Sequence, residues 1–174
     1  MKLLTLSELN DLPNPDFVRV LADIFEHSPW VAEGVVGSTP FASVHDLHAD
    51  MTNVVAEAGE EKQLALIRAH PDLAGRAARA GNLTASSTSE QAGAGLDRLT
   101  SEEFKRFHKL NDAYKERFDF PFILAVKGHD KSSILSAFEE RLNNDPATER
   151  QTALEEIYKI ARFRLDALLT EGKT

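Results

Sequence analysis

Cysteine is absent from the 174 residues of the chain. Its absence excludes disulfide bonds, thiolate metal sites and cysteine nucleophiles, so redox chemistry does not indicate a compartment. Long hydrophobic runs are missing as well, because no stretch approaches the roughly 18 apolar residues that cross a bilayer. The first residues, Met1–Glu8, turn acidic too early for a signal peptide. We therefore expect a cytoplasmic protein with no membrane partner.

Basic residues are scarce relative to acidic ones. The chain has 20 lysines and arginines against 28 aspartates and glutamates, which gives a net charge of -8 at pH 7. Neutralising phosphates requires a basic face, so we expect no nucleic-acid partner. A small anionic substrate remains compatible with this charge, because one or two buried arginines are enough to bind it.

Apolar residues recur at helical spacing through most of the sequence. The clearest stripe lies near the N-terminus and comprises Phe17, Val20, Leu21, Ile24 and Phe25. Thr100 with Glu103 has the pattern of a capping box. The segment 119–127 is strand-like, but a lone strand has no partner, so we expect a buried extended linker there. The pattern predicts an all-α fold: one compact domain over residues 1–174, with roughly eight helices and one short extended segment near 119–127.

Two boundaries are less sharply marked by the sequence. Small residues, glycines and a Ser/Thr cluster between residues 74 and 89 predict a short helix and a loop, then a helix capped near Ser87–Ser89. A break at Asn144-Asp145-Pro146 precedes the last helix, which we expect from about Ala147 to Leu169.

Two short segments place chemically active side chains at helix ends. His70-Pro71-Asp72-Leu73-Ala74-Gly75 carries an imidazole and a carboxylate, and Ser87-Thr88-Ser89-Glu90-Gln91 adds hydroxyls, a carboxylate and a carboxamide. An imidazole near a carboxylate suits proton transfer close to neutral pH. Each segment also has a structural explanation, since His70 before a proline closes a helix and Glu90 stabilises a helix N-terminus.

The last helix supplies a candidate anion contact. Arg162 and Arg164 both lie among apolar residues, and either could hold a carboxylate through two parallel N–H bonds. The alternative is a surface ion pair with Asp166 or Glu156.

The remaining histidines and serines give weaker signals. His45 and His48 lie three residues apart near Asp46 and Asp50, but no third ligand stands at a recognised metal-binding spacing. We therefore expect no metal site, and exposed positions for these two and for the other three, His27, His108 and His129. No Gly-x-Ser-x-Gly motif accompanies the serines, so a serine nucleophile is not favoured.

Five segments in order make the chain resemble one enzyme family. They are His70-Pro71-Asp72-Leu73, Ser87-Thr88-Ser89-Glu90-Gln91, Leu110–Phe118, Phe120-Pro121-Phe122-Ile123 and Ala161-Arg162-Phe163-Arg164-Leu165. With these motifs, and a match over nearly the whole chain, the sequence resembles the decarboxylases of 2-oxo-4-hydroxy-4-carboxy-5-ureidoimidazoline (OHCU). That family catalyses the last step from urate to (S)-allantoin.

The resemblance implies both an assembly and a set of site residues. It implies an all-α homodimer that acts on a small ureido-imidazoline substrate without metal or organic cofactor. His70 and Glu90 would be the catalytic residues. The residues implied in substrate binding are Pro71, Ser87, Gln91, Phe122, Ile123 and Arg164. Arg164 is preferred to Arg162 because it directly precedes Leu165, as the motif requires.

The implied substrate explains why no cofactor would be needed. The carbon that loses carbon dioxide lies next to a ring imine, which can accept the released electrons. Two other functions stay open at this point: an interaction protein that docks a partner on the Phe-rich segment 118–122, and a hydrolase of a related ureide. The hydrolase is disfavoured because such enzymes usually need metal ligands or a nucleophile.

Overall fold

Helices dominate the structure. The computed structural model describes residues 3–74 and 83–170, and over these ranges it contains nine α-helices, one 3-10 turn and two short strands. The helices are α1 (Leu6–Asn10), α2 (Asn14–Leu21), α3 (Trp30–Val35), α4 (Val44–Glu57), α5 (Glu60–Ala69), α6 (Ala85–Gly93), α7 (Ser101–Phe118), α8 (Lys131–Arg141) and α9 (Pro146–Leu168). The predicted all-α class is thereby confirmed.

Contacts between residues divide the chain into two compact units. The first comprises the residues up to Ala69 together with those from Tyr158 onward, and the second comprises His70–Ile157. The single domain over residues 1–174 therefore stays a prediction. No helix within the described ranges is both long and apolar enough to span a membrane.

The first unit is held by the apolar faces of its helices. Four members of the predicted N-terminal stripe are buried, with at most 6% of their surface exposed: Phe17, Leu21, Ile24 and Phe25. Burying one such side chain contributes about 1.5–3 kcal/mol, so Phe17 and Leu21 keep the eight-residue helix α2 in the unit, while Ile24 and Phe25 follow its end. Ser43 begins α4 by accepting a hydrogen bond at 3.0 Å from the backbone N–H of Asp46.

A small parallel sheet in the same unit joins two distant parts of the chain. Strand β1 (Leu4–Thr5) pairs with strand β2 (Leu169–Thr170), with Leu4 opposite Leu169. The sequence did not predict this pair, because two residues are too few to show an alternating pattern. The last helix accordingly ends at Leu168, and its final predicted residue is in β2 instead.

The second unit is built around an aromatic cluster. The ring of Tyr114 lies 4.6–6.3 Å from four phenylalanine rings, those of Phe118, Phe120, Phe122 and Phe138. Offset and edge-on contacts of this kind add to the stabilisation from burial. The segment from Pro121 to Val126 is buried and is neither helix nor strand. This agrees with the buried extended linker predicted near 119–127.

Helix starts in this unit follow their capping residues. The capping box of Thr100 and Glu103 is present at the start of α7, as predicted. Helix α6 starts earlier than predicted, at Ala85, because the extended Thr84 accepts a hydrogen bond at 3.2 Å from the N–H of Ser87. The predicted cap at Ser87–Ser89 was therefore wrong, and these residues lie inside the helix. Most of the short helix predicted before it lies outside the described residues.

Candidate active site

The loop that follows α5 carries the candidate base. Helix α5 ends at Ala69 because His70 precedes a proline, which disfavours helical backbone at that position. His70 is only 8% exposed. Ala74, at the other end of the loop, has a φ of 54°, a left-handed conformation that costs a residue with a Cβ about 1–2 kcal/mol. Such a backbone persists only where its surroundings hold it.

Helix α6 presents the second motif on one face. Ser87, Glu90 and Gln91 stand at positions i, i+3 and i+4, which are neighbours on a helix surface. Ser87 and Gln91 are buried, at 3% and 5% exposure, and Glu90 is half-buried at the margin of the face. The hydroxyl, the carboxylate and the carboxamide predicted from the sequence therefore share one side of the helix.

Gln91 joins this helix face to the loop after His70. Its amide oxygen Oε1 accepts a hydrogen bond from the backbone N–H of Ala74 at 2.9 Å. Its amide nitrogen Nε2 donates to the carbonyl oxygen of Asp72 at 3.3 Å. The two motif segments, separated in sequence by residues 76–86, thus meet in space, and Gln91 holds the left-handed residue in place.

Helix α7 braces the same loop from another direction. Asn111 donates from Nδ2 to the carbonyl oxygen of Leu73 at 2.9 Å, and Lys115 pairs with Asp72 at 2.7 Å. Asn111 and Lys115 are four residues apart and share a face of α7. The buried Oδ1 atom of Asn111 accepts no hydrogen bond from the part of the chain that the structure describes. The sequence placed Asn111 in the Leu110–Phe118 motif, but no local pattern linked it to the loop.

The segment of Phe122 and Ile123 is fixed by buried polar side chains. Both residues are buried, at 1% and 3% exposure. Arg141 donates to the carbonyl oxygen of Ile123 and lies over the Phe122 ring, 4.4 Å from its centroid. Arg141 also pairs at 2.8 Å with Glu149, whose side chain is fully buried. No local sequence pattern links Arg141 or Glu149 to residue 123, so the sequence did not predict either residue in the site.

Tyr114 completes this cluster. Its hydroxyl donates to Oε1 of Glu149 at 2.6 Å. Burial raises the pKa of Tyr114 well above its ordinary value, and the hydrogen bond to Glu149 raises it further. The phenol therefore remains protonated and remains a donor at any physiological pH.

The two candidate arginines of α9 have different surroundings, both in the first unit. Arg164 is 7% exposed, pairs with the buried Glu26 at 2.8 Å and donates to the carbonyl oxygen of Asp23 at 3.0 Å. Arg162 forms the partly exposed ion pair with Asp166, at 3.1 Å, that the sequence had offered as the structural alternative. Both arginines are therefore paired with carboxylates of the chain itself, Arg164 in a buried position and Arg162 in a partly exposed one.

The other histidines lie away from these motifs in the sequence, and three of them, His48, His108 and His129, are half-buried where exposed positions were expected. His48 is half-buried, not exposed, and one ring nitrogen lies 2.7 Å from the carbonyl oxygen of Tyr158. Burial lowers the pKa of His48 below its ordinary value of 6.5. His27 is exposed, at 64% of its side-chain surface. Among the described residues, no three acidic or histidine side chains are grouped so as to hold a metal ion.

Comparison with known proteins identifies the family. The model of the family described as OHCU decarboxylase matches residues 10–166. The 2-oxo-4-hydroxy-4-carboxy-5-ureidoimidazoline decarboxylase of Haloferax volcanii is 45% identical over 165 residues, which is 95% of this chain and 96% of that protein. The chain belongs to the OHCU decarboxylase family. The family and the enzyme class predicted from the sequence, a carboxy-lyase of urate degradation, are thereby confirmed.

Two further relatives are longer than this member of the OHCU decarboxylase family. A uric acid degradation bifunctional protein of Bacillus subtilis is 44% identical over 99% of this chain, which spans 34% of that protein. The crystal structure of an (S)-allantoin synthase is 32% identical, with a TM-score of 0.77, over 95% of this chain and 54% of that one. A crystal structure of OHCU decarboxylase in the presence of (S)-allantoin has a TM-score of 0.69 at 22% identity, and shares the fold.

Proposed function

We propose that this chain converts OHCU to (S)-allantoin without a cofactor, using the loop His70–Ala74 and the inner face of α6. The observation that carries the proposal is the pair of hydrogen bonds between Gln91 and this loop, one accepted from the N–H of Ala74 and one donated to the carbonyl of Asp72. They bring the segment of the candidate base and the helix of the candidate carboxylate together in the second unit. The substrate is taken from the related 2-oxo-4-hydroxy-4-carboxy-5-ureidoimidazoline decarboxylases.

The substrate chemistry sets what the protein must do. When the bond to the carboxylate breaks, carbon dioxide leaves and the electron pair moves into the neighbouring imine, whose nitrogen takes up a proton. The hydroxyl-bearing carbon and the ureido-bearing carbon are then joined by a double bond, as an enol. The enol loses its hydroxyl proton and becomes a carbonyl, while the ureido-bearing carbon gains a proton on one face. The net reaction consumes one proton, and its stereochemistry is decided at the last step.

Proton transfer is assigned to His70 and Glu90. We assign His70 to the substrate hydroxyl as the proton shuttle, and Glu90 to orienting it or relaying the proton. The burial of His70 supports this role, because excluding bulk water prevents protonation on the wrong face. Glu90, half-buried on the same helix face as Gln91, has partial access to solvent from which protons can be replaced.

Binding is assigned to the surrounding residues. The backbone around Phe122 and Ile123 is assigned to the pocket by the family motif. The reacting carboxylate is expected to meet an apolar wall, which favours its loss as neutral carbon dioxide over the charged ground state. Gln91 and Arg164 position the ring and the ureido group through hydrogen bonds. Arg164 is assigned by its place in the family motif. The other residues assigned to the pocket on the same basis are Pro71 and Ser87.

The test uses enzymatically generated OHCU and the circular dichroism of (S)-allantoin. We expect the wild-type chain to accelerate the signal over the slow, racemic spontaneous decay. His70→Asn should fold normally and lose about 100-fold or more of this acceleration, the usual contribution of a general acid–base group. Glu90→Gln should lower turnover and leave the unfolding temperature unchanged. His129→Asn, which alters a histidine bonded to Ser133 at 3.0 Å, is the control and should retain full activity. Most of the activity surviving in His70→Asn would remove His70 from the mechanism.

The assembly completes the proposal. We assign the chain as a single cytoplasmic domain that acts as a homodimer, with the substrate as its small-molecule partner. The match of one family model to residues 10–166, across both compact units, supports the single domain. One cooperative unfolding transition and a dimer mass by light scattering are expected. Two separate transitions, or a monomer mass at assay concentration, would contradict these assignments.

A further inference from the structure

We propose that Arg141 is a positioning residue of this decarboxylase, which holds the Phe122–Ile123 backbone in the shape that the substrate requires. The inference rests on the proposed function, since that function makes Phe122 and Ile123 part of the pocket wall. Arg141 does not have to touch the substrate to act in this way.

Arg141 makes three different contacts from one planar group. It donates to the carbonyl oxygen of Ile123, lies 4.4 Å from the centroid of the Phe122 ring, and pairs through Nε with Glu149 at 2.8 Å. Only a guanidinium can satisfy all three together, because it combines a fork of N–H donors with a flat face that stacks on an aromatic ring. A lysine ammonium could keep the ion pair but would lose the stacking and the fixed direction of the hydrogen bond.

The segment needs such support because it lacks a regular backbone ladder. Residues Pro121–Val126 are buried and form neither helix nor strand, so their backbone polar groups depend on other partners. Arg141 provides one for Ile123, and Glu156 accepts from the N–H of Ala125 at 3.1 Å. Two buried ionic side chains, one of each sign, therefore hold the backbone on either side of Leu124.

The ion pair with Glu149 fixes the position of Arg141. That carboxylate is fully buried and accepts hydrogen bonds from Tyr114 at 2.6 Å and from Asn144 at 3.1 Å, besides its ion pair with Arg141. Tyr114 also packs edge-on against Phe122, with ring centroids 5.3 Å apart. The Phe122 ring is therefore in contact with both Tyr114 and Arg141. A small shift of the guanidinium would be passed on to the pocket wall.

The experiment compares Arg141→Lys with Arg117→Lys. Arg117 is a matched control because it also donates to a backbone carbonyl, that of Asn144 at 2.8 Å, and lies over a phenylalanine, Phe118, at 5.1 Å. We expect Arg141→Lys to raise the KM for OHCU about tenfold, as a misplaced binding wall does. The fraction of (S)-allantoin among the enzymatic product should fall toward one half. Arg117→Lys should leave both quantities at the wild-type level.

A purely structural role predicts a different outcome. Arg141→Lys would then lower the unfolding temperature while KM and the (S) fraction stay equal to those of Arg117→Lys, and this result would overturn the proposal. If Arg141→Lys cannot be obtained folded, Glu149→Gln decides, because its amide oxygen can still accept from Tyr114 while the counter-charge of Arg141 is lost. The same rise in KM supports the proposal there, and an unchanged KM overturns it. Failure of the proposed function is distinct, since the wild-type chain itself would then not accelerate the reaction.

Discussion

Replacing Gln91 by leucine tests whether this side chain holds the catalytic loop or only meets the substrate. Leucine keeps the approximate volume and the helix propensity of glutamine but removes both polar atoms of the amide. The backbone N–H of Ala74 then loses its acceptor at 2.9 Å, and the carbonyl of Asp72 loses its donor at 3.3 Å. Ala74 is buried, at 3% exposure, so water cannot easily replace the lost partner.

The expected loss of stability follows from these two bonds. Each contributes about 1 kcal/mol net, and leaving a buried N–H unsatisfied adds about 1 kcal/mol more. The ligand-free protein should therefore lose about 3 kcal/mol, which lowers Tm by about 6–12 °C for a chain of this size. A residue that only contacts substrate would leave the ligand-free Tm unchanged, because its partner is absent.

Thermal unfolding without ligand and kcat/KM for OHCU should be measured on the same preparations. Gln63→Leu is the matched control, since Gln63 also donates from its amide to backbone carbonyls, those of Val55 at 3.0 Å and Ala56 at 3.2 Å. We expect Gln63→Leu to lower Tm slightly and to leave kcat/KM intact. Gln91→Leu should lower both, with kcat/KM falling by about 10- to 100-fold as the loop of His70 shifts.

Two outcomes would refute this reasoning. An unchanged ligand-free Tm in Gln91→Leu would mean that the loop is held without the amide. A lowered Tm with full kcat/KM would mean that the position of the loop is irrelevant to catalysis, which would also weaken the assignment of His70.

The remaining predictions concern the first unit. Arg164→Ala should cost about 3–5 kcal/mol, because it removes one partner of a buried ion pair. Arg162→Ala should cost about 0.3–0.5 kcal/mol, the usual contribution of an exposed helix pair. Urea unfolding distinguishes the two variants, and equal losses would contradict the two assignments. His48 has a folded pKa below its unfolded value of 6.5, so the unfolded chain binds its proton more readily. Stability should therefore be full above about pH 6.5 and fall as the pH drops through the lowered pKa. His48→Gln should flatten this part of the curve of unfolding free energy against pH, and an unaltered slope would assign the effect to another group.

Local patterns were enough to predict the all-α class and most of the helices, but not the short helix α3. The spacing of the apolar residues from Phe17 to Phe25 predicted a buried face, and Thr100 with Glu103 predicted the start of α7. Each of these two signals is contained within a few consecutive residues. The cap of α6 was misplaced for a local reason as well: Thr84 and Ser87 are both good capping residues, and the choice depends on which of them is extended.

Pairings between distant residues could not be predicted in this way. Arg164 reaches Glu26 across 138 positions, and Arg141 reaches Ile123 across 18, with nothing in either segment that names its partner. Gln91 was predicted as a site residue from its motif. Its hydrogen bonds to the loop depend on the left-handed backbone of Ala74, and such a conformation would be expected at the glycine that follows rather than at an alanine. The family motifs indicated candidate site residues. The hydrogen-bond partners of Gln91, Asn111 and Arg141 are visible only in the folded chain.

The two-residue pairing of β1 with β2 has a mechanical consequence. Because the strands are parallel, a force that pulls the chain at residue 3 and at residue 170 acts along the strands in opposite directions. It therefore loads their hydrogen bonds in shear, all at once, where an antiparallel pair pulled from the same two ends would be opened one bond at a time. When a pulling force is applied through the ends of the described chain, this small sheet should be the first element to bear it.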